Sequence, residues 1–345
     1  MKMARENFLY KSANIMISLT VVIFIPLTGF SQKVTNPAIQ AVVDSISITH
    51  YRAYHIYVES MGLGLYGGTK YNMGYRNRDA REGLDSPGNQ EARLFLQDKL
   101  NDMGLKVSLQ GKHLNVVAEL TGTKTPENIY IIGGHYDHID GDRPGGTDNA
   151  SGTAGMLETA RVLSQFKFES TIRFIGFNAE EDGLKGSQDY VESVVIPGKE
   201  NIVGMINMDM ILRPGSDVEP DNIIDAELEV QRKHPPSLAW AEAYQKAAAT
   251  YVPALIVNDS IVETPSSSDN DSFLNNGYAA FLVIENSWPD FSDADPYWHK
   301  FDDASDRLAN DPNSTTGVTY NYVFACNILR GITALVAQEA KLITK

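Results

Sequence analysis

The densest run of chemically capable side chains is "GGHYDHIDGDRPGGTDNASG", residues 133–152, directly after the apolar stretch "NIYII". A buried strand usually ends in a plain turn. This one ends in His135, Asp137 and His138, followed by Asp140, Asp142 and Asp148. Two more apolar runs end in the same way: "TIRFIGF" (171–177) leads into Asn178-Ala179-Glu180-Glu181, and "IVGMINM" (202–208) leads into Asp209. A further imidazole, His299, lies in "YWHKFDD". Zinc takes about four nitrogen or oxygen ligands and, in catalytic sites, keeps a position for water. Two such ions roughly 3.5–4 Å apart can share a bridging carboxylate, with a general base close by. His135, Asp148, Glu180, Glu181, Asp209 and His299 meet those needs. Asp148, in a tight glycine-rich loop at the start of a helix, is assigned as the bridge. His135 and Asp209 then serve one ion, and Glu181 and His299 the other.

Adjacent Glu180 and Glu181 suggest a division of labour. A turn just after a strand can splay two successive side chains toward one cavity, where one carboxylate binds metal and its neighbour takes a proton. An "EE" pair is ordinarily a solvated face. Its position at the end of a buried strand reverses that reading. Asp137, two residues beyond His135, is expected on the same face, where its carboxylate would orient the imidazole. His138 is expected to point the other way as a loop histidine, and Asp140 and Asp142 as solvated turn residues.

These residues need a scaffold. Strands are expected at 114–120, 128–134, 171–177, 202–208 and 279–285, with helices beginning near Ser151, Gly186, Leu238 and Tyr320. Runs this continuously apolar are buried on both faces, which predicts a three-layer α/β/α fold around a central, mostly parallel mixed sheet. In such sheets the active groups collect beyond the carboxyl ends of the strands. Upstream, "SPGNQEARLFLQDKLNDMG" reads as a helix capped by Ser86 and stopped at Gly104, with Ala92, Leu96, Leu100 and Met103 on its apolar face. Cys326, the single cysteine, shares a helical face with Leu329, Ile332 and Val336 and is expected in the core.

The chain has 345 residues and a formal net charge of -15, with 44 acidic against 29 basic residues, and no basic patch of the kind nucleic acid requires. Lys2, Arg5 and Lys11, the apolar run from Ile15 to Phe30, and small Ser31 read as a signal peptide over 1–31. The expected organisation is that signal, an N-terminal arm over 32–75 packed on the catalytic domain, and a metallopeptidase domain over 76–345. Secretion or a periplasmic location follows, with no stable membrane insertion once the signal is cleaved. The segment 213–237, rich in acids and prolines, is expected either as a loop over the mouth of the site or as solvated surface.

Taken in order, "GGHYDH", "GGTDNASGTAG", "NAEEDGLKGS", "NMDM" and "YWHKFDD" resemble the signatures of the zinc-dependent aminopeptidase family. That family includes secreted leucyl aminopeptidases, glutamate carboxypeptidases and glutaminyl cyclases, and the resemblance runs from about residue 75 to 340. It implies two Zn²⁺ (or other divalent ions) held by His135, Asp148, Glu181, Asp209 and His299. It also implies Glu180 as the base that activates a metal-bridging water, Asp137 behind the first histidine, and a cis peptide after Asp148. The implied reaction is hydrolysis of N-terminal peptide bonds in peptides or proteins. Three alternatives stay open, one of them a non-catalytic binding module, which would have lost ligands that this chain keeps. A carboxypeptidase of the same family would need basic residues to read the substrate carboxylate, for which Arg213 is the candidate near a motif. A glutaminyl-cyclase-like acyltransferase would use a single functional zinc. The sequence departs from the family at Asn270, where many relatives carry histidine, and over Val262–Pro265, where some carry tyrosine. Those departures leave the oxyanion donor unassigned and Asp269 a candidate neighbour of the ligands.

Overall fold

The computed structural model describes residues 35–62, 84–139, 145–213, 225–229, 234–257, 268–285 and 320–344, with Leu65–Tyr66, Thr69–Lys70, Arg78–Asp79, Trp298, His299 and Asp303. The expected signal segment, Asp140 and Asp142 lie outside the described residues.

Eight strands form one sheet: β1 (Lys106–Gln110), β2 (Asn115–Leu120), β3 (Thr125–His135), β4 (Ser170–Phe177), β5 (Asn201–Met208), β6 (Asp225–Glu229), β7 (Ile256–Val257) and β8 (Ala280–Glu285). Their spatial order is β7-β6-β8-β5-β3-β4-β2-β1. The central run β8-β5-β3-β4 is parallel throughout, while β2, β1 and β6 pair antiparallel on the flanks. Among the described residues the main helices are α1 (Pro37–Val43), α2 (Ile48–Gly62), α3 (Pro87–Asp102), α4 (Gly152–Leu163), α5 (Lys185–Tyr190, continued by the helical turns Val191–Val195 and Ile196–Gly198), α6 (Pro235–Tyr251), α7 (Asn270–Leu274) and α8 (Tyr322–Glu339).

The apolar runs alternate between two cores, as strands covered on both faces must. On β3, Tyr130 and Ile132 join the larger core with Leu157 of α4 and Leu329 of α8. Ile129 and Ile131 face the other way, onto Val191 and onto Phe273 of α7. β4 divides likewise, with Ile172 and Phe174 on one side and Ile175 and Phe177 on the other. The architecture is therefore the expected three-layer α/β/α.

Helix starts follow local chemistry. Ser86 Oγ accepts the Asn89 N–H at 3.1 Å, and Pro87 occupies the first turn, where no amide donor is needed. Cys326, Leu329, Ile332 and Val336 of α8 are all fully buried, and burial pushes the Cys326 thiol up to about 12. Ile39, Val42 and Val43 of α1 and Tyr51 of α2 belong to the same core as α8. Three strands depart from expectation, among them the two-residue β7 at the sheet edge. β1 was not anticipated, because its mostly exposed "KVSLQ" carries no periodicity. β6 lies within the segment expected as loop or solvated surface, and its Ala226 and Leu228 are buried. Two apolar residues among three acids give the composition of a loop and the alternation of a strand. Among the described residues, no helix is long and apolar enough to cross a membrane.

Candidate metal centre

In register, His135 of β3 lies opposite Phe177 of β4, and Gly133 lies opposite Asn207 of β5. The carboxyl ends of the three strands are thus level, and whatever follows each strand meets at one edge. The backbone then turns sharply. Ala179 (φ 59°), Met210 (φ 53°) and His299 (φ 54°) all sit in the left-handed region, uncommon for non-glycine residues, beside or at the gathered side chains. Asp148 arrives in the turn Gly146–Ser151 that opens α4, and the Asp148–Asn149 peptide is cis. This turn can approach β5 only because residue 152 is glycine: a Cβ there would lie 2.2 Å from the Met208 carbonyl oxygen.

Asp148 divides its carboxylate between two groups of donors. Its Oδ1 lies 3.4 Å from His135 Nε2, which is also 3.4 Å from Asp209 Oδ2. Its Oδ2 lies 3.0 Å from His299 Nε2, which is 3.2 Å from Glu181 Oε2. The donor atoms of His135, Asp148 and Asp209 lie within 4.8 Å of one another, and so do those of Asp148, Glu181 and His299. Glu180 Oε2 is 3.9 Å from His135 Nε2. The seven residues singled out in the sequence, Asp137 included, are brought to one place.

Asp137 does more than face the imidazole. Its Oδ1 lies 3.5 Å from His135 Nδ1, and its two oxygens accept the Glu180 and Glu181 amide N–H groups at 3.1 and 3.2 Å. One buried carboxylate thereby fixes the turn that presents both glutamates. Ser268, just before Asp269 and Asn270, donates to Asp209 Oδ2 at 2.7 Å and accepts from Asn207 Nδ2 at 2.8 Å. The Trp298 indole donates to Asp148 Oδ2 at 3.0 Å and stacks on His299 with centroids 4.1 Å apart. The hydrogen bonds to Asp209 and Asp148 link residues distant in sequence, so no spacing signal marks them. His138 corrects the expectation of a loop histidine. It is 2% exposed, and its Nδ1 lies 3.3 Å from Glu181 Oε1. The extended run stops at His135, so strand alternation no longer governs where His138 points. Arg213, the basic residue near a motif, is 1% exposed, with its backbone N–H on Glu285 and its guanidinium over the Tyr320 ring.

The electrostatics are those of crowded, buried acids. Burial pushes the Glu180 carboxyl well up, reinforced by Glu181, Asp209 and Asp269 and opposed by His135. Burial and Asp148 likewise push Asp209 up, against His135 and Ser268. Burial also acts upward on Asp148, but His135 and His299 outweigh it and hold that carboxyl below the usual range. Burial would lower His299, yet Asp148 and Glu181 raise it to about 10. His135 is raised for the same reason, by Asp209, Glu180, Asp137 and Asp148.

A divalent cation fits this set. Carboxylates outnumber imidazoles, and buried charge is tolerated only when it is paired or coordinates metal. His135 Nε2 and Asp209 Oδ1 are buried and form no hydrogen bond. Imidazole nitrogen and carboxylate oxygen are the donors zinc accepts.

Residues 115–323, more than half of the chain, match the model of peptidase family M28. The chain is 30% identical over 197 residues to a probable zinc metalloprotease of Leptosphaeria maculans, covering 53% of this chain and 46% of that protein. It is 31% identical over 169 residues to aminopeptidase Y of Saccharomyces cerevisiae, covering 49% of this chain and 29% of that protein. The chain thus spans less than half the length of these curated relatives. Among solved structures, the LapA aminopeptidase of Legionella pneumophila superimposes with a TM-score of 0.67 at 19% identity, covering 90% of this chain and 77% of that one.

Proposed function

The chain belongs to peptidase family M28, and on that premise we propose that it is a zinc-dependent exopeptidase. In this reading it hydrolyses N-terminal peptide bonds of peptides or proteins, holds two zinc ions and works as a secreted or periplasmic enzyme. The proposed organisation keeps the signal at 1–31, the arm at 32–75 and the catalytic domain at 76–345. The observation that carries the reading is the divided Asp148 carboxylate, one oxygen toward His135 and the other toward His299. His135 and Asp209 would hold one ion, Glu181 and His299 the other, with Asp148 between them.

Zinc bound there would polarise the scissile carbonyl and acidify water. The chain's own residues do the rest. Glu180, buried beside His135, accepts a proton from the attacking water and returns it to the leaving amine. Its raised affinity for protons suits that shuttle, since a general base works best with a pKa near the operating pH. Asp137 holds Glu180 in place through its amide, and Ser268 holds Asp209. A substrate carboxylate would need an accessible cation. Arg213, the candidate for that task in a carboxypeptidase, is buried against Tyr320 instead, which favours the amino-end reading.

The test pairs Glu180→Gln with a substrate panel. Expected are zinc content near that of the parent and turnover lower by about 10²–10⁴-fold, the usual contribution of a general base. Aminoacyl anilides with free amines should be cleaved, and N-blocked ones, peptides trimmed from the carboxyl end and N-terminal Gln peptides spared. Parent-like turnover in Glu180→Gln removes the proposed role. Preferential action on carboxyl ends or on N-terminal Gln points to the alternatives.

A further inference from the structure

Outside the residues considered so far lies a buried carboxylate that touches none of the candidate metal ligands' side chains, yet holds the backbone of one of them. Asp303 is 1% exposed. Both of its carboxylate oxygens accept the Thr147 N–H, each at 2.9 Å, and Oδ2 also accepts the Asp148 N–H at 3.2 Å. Its own carbonyl oxygen accepts the Gly146 N–H at 3.0 Å. Every amide from Gly146 to Asp148 is thus tied to this single residue. The fit is close, since a Cβ on Gly146 would lie 2.1 Å from the Tyr320 hydroxyl and 3.1 Å from the Asp303 carbonyl oxygen.

Asp303 is held in turn. The Tyr320 hydroxyl donates to Oδ1 at 3.0 Å, and Arg213 Nη2 lies 3.9 Å from the same oxygen. From the other side of the turn, His55 of α2 places Nε2 2.7 Å from the Gly146 carbonyl oxygen. Asp303 also lies four residues after His299 in the chain. The bridge and the second histidine, which meet at 3.0 Å, are therefore joined a second time through a residue that belongs to one ligand's segment and grips the other's backbone.

We infer that Asp303 is a positioning residue for the second metal position, acting by locking the Asp148 turn to the segment that carries His299. The inference rests on the two-metal reading proposed above. It follows from how the charge is used: a carboxylate that accepts amide N–H groups makes bonds roughly twice as strong as neutral ones. An uncharged amide in its place would turn an NH₂ group toward donors it cannot accept from. Of the two residues that this joint connects, the second position uses both Asp148 and His299, whereas the first uses Asp148 alone beside His135 and Asp209. Loosening the joint therefore acts unequally on the two.

The test is site-resolved metal binding to the full-length parent and to Asp303→Asn. Metal-free protein is titrated with Co²⁺, following the visible absorption of each site, and zinc affinities are measured by competition with a chromophoric chelator. The parent should take up two equivalents. In Asp303→Asn the affinity of the position that includes His299 should fall about 10–100-fold, as when the partner of a metal ligand is lost, and that of the His135 position should fall much less. Equal weakening of both positions, or two unchanged affinities, overturns the inference, because a merely structural carboxylate would not distinguish between sites. A parent that binds a single equivalent removes the two-metal reading itself, and this inference with it. Should Asp303→Asn fail to fold, Tyr320→Phe removes only the hydroxyl that donates to Asp303. The same inequality at smaller size is then expected, and its absence overturns the inference.

Discussion

The sharpest test of the proposed centre is Asp137→Asn, an almost isosteric change. In the parent, Asp137 is 1% exposed and accepts the Glu180 N–H at 3.1 Å and the Glu181 N–H at 3.2 Å while facing His135 Nδ1 at 3.5 Å. Asparagine can accept only through its carbonyl oxygen. One of the two amides must then face an NH₂ group, a buried unmade hydrogen bond that costs about 1–3 kcal/mol. The remaining bond loses its charge assistance, about 1 kcal/mol more. The metal-free protein should thus lose about 2–4 kcal/mol, a fall in Tm of several degrees at about 2 °C per kcal/mol for a domain of this size. His135 loses its negative neighbour and both glutamates lose their fixed turn, so zinc affinity should fall about 10–100-fold. Calorimetry of metal-free protein and chelator competition with zinc measure the two effects separately. Unchanged Tm together with zinc affinity within about twofold of the parent would refute the reasoning, since a carboxylate that organises three functional groups cannot be neutralised silently.

Two further predictions lie on the sheet and at the ligands. Arg173 on β4 donates to Glu119, Glu200 and the Tyr190 hydroxyl. Arg173→Met should destabilise the protein by about 1–3 kcal/mol by leaving two partly buried acids unpaired, checked by urea unfolding. Glu119 is held below its ordinary value: burial acts upward, but Arg173 outweighs it. Its contribution is therefore present above the unfolded carboxylate pKa and lost as pH falls through the lower folded value, so the parent-to-variant gap should narrow in acid. In metal-free protein the opposite sign applies to His299, raised from 6.5 to about 10 because Asp148 and Glu181 outweigh its burial. Its stabilisation is complete below 6.5 and fades as pH rises toward about 10. Zinc must displace that proton, so affinity should climb over the same interval and uptake should release protons, measurable by titration calorimetry in buffers of different ionisation enthalpy.

Much of the fold was legible because its central strands are apolar on both faces, and each apolar run ends where its chemistry begins. β3, β4 and β5 fall within a few residues of their expected spans. What was not legible has physical causes. β1 has no buried face, and β6 hides only two apolar residues among acids. In the site, residues carried by strand ends were readable from position alone. Residues that support them through backbone amides were not, because an amide has no sequence identity. Asp137 shows both cases: its place two residues beyond His135 suggested the imidazole, but nothing in the sequence suggested the Glu180 and Glu181 amides. His138 was misjudged because alternation was carried past the last residue of β3.

The segment around Asp269 and Asn270 indicates what the departure from the family pattern changes. Asp269 is fully buried with neither carboxylate oxygen hydrogen-bonded, and burial pushes it up to about 7. Asn270 lies in the same buried turn at the start of α7, and its amide reaches Asp271. A histidine at position 270 would bring a group able to take up positive charge next to Asp269; asparagine brings none. Asp269 acts on Glu180 as a like charge and raises its affinity for protons, in the same direction as burial does.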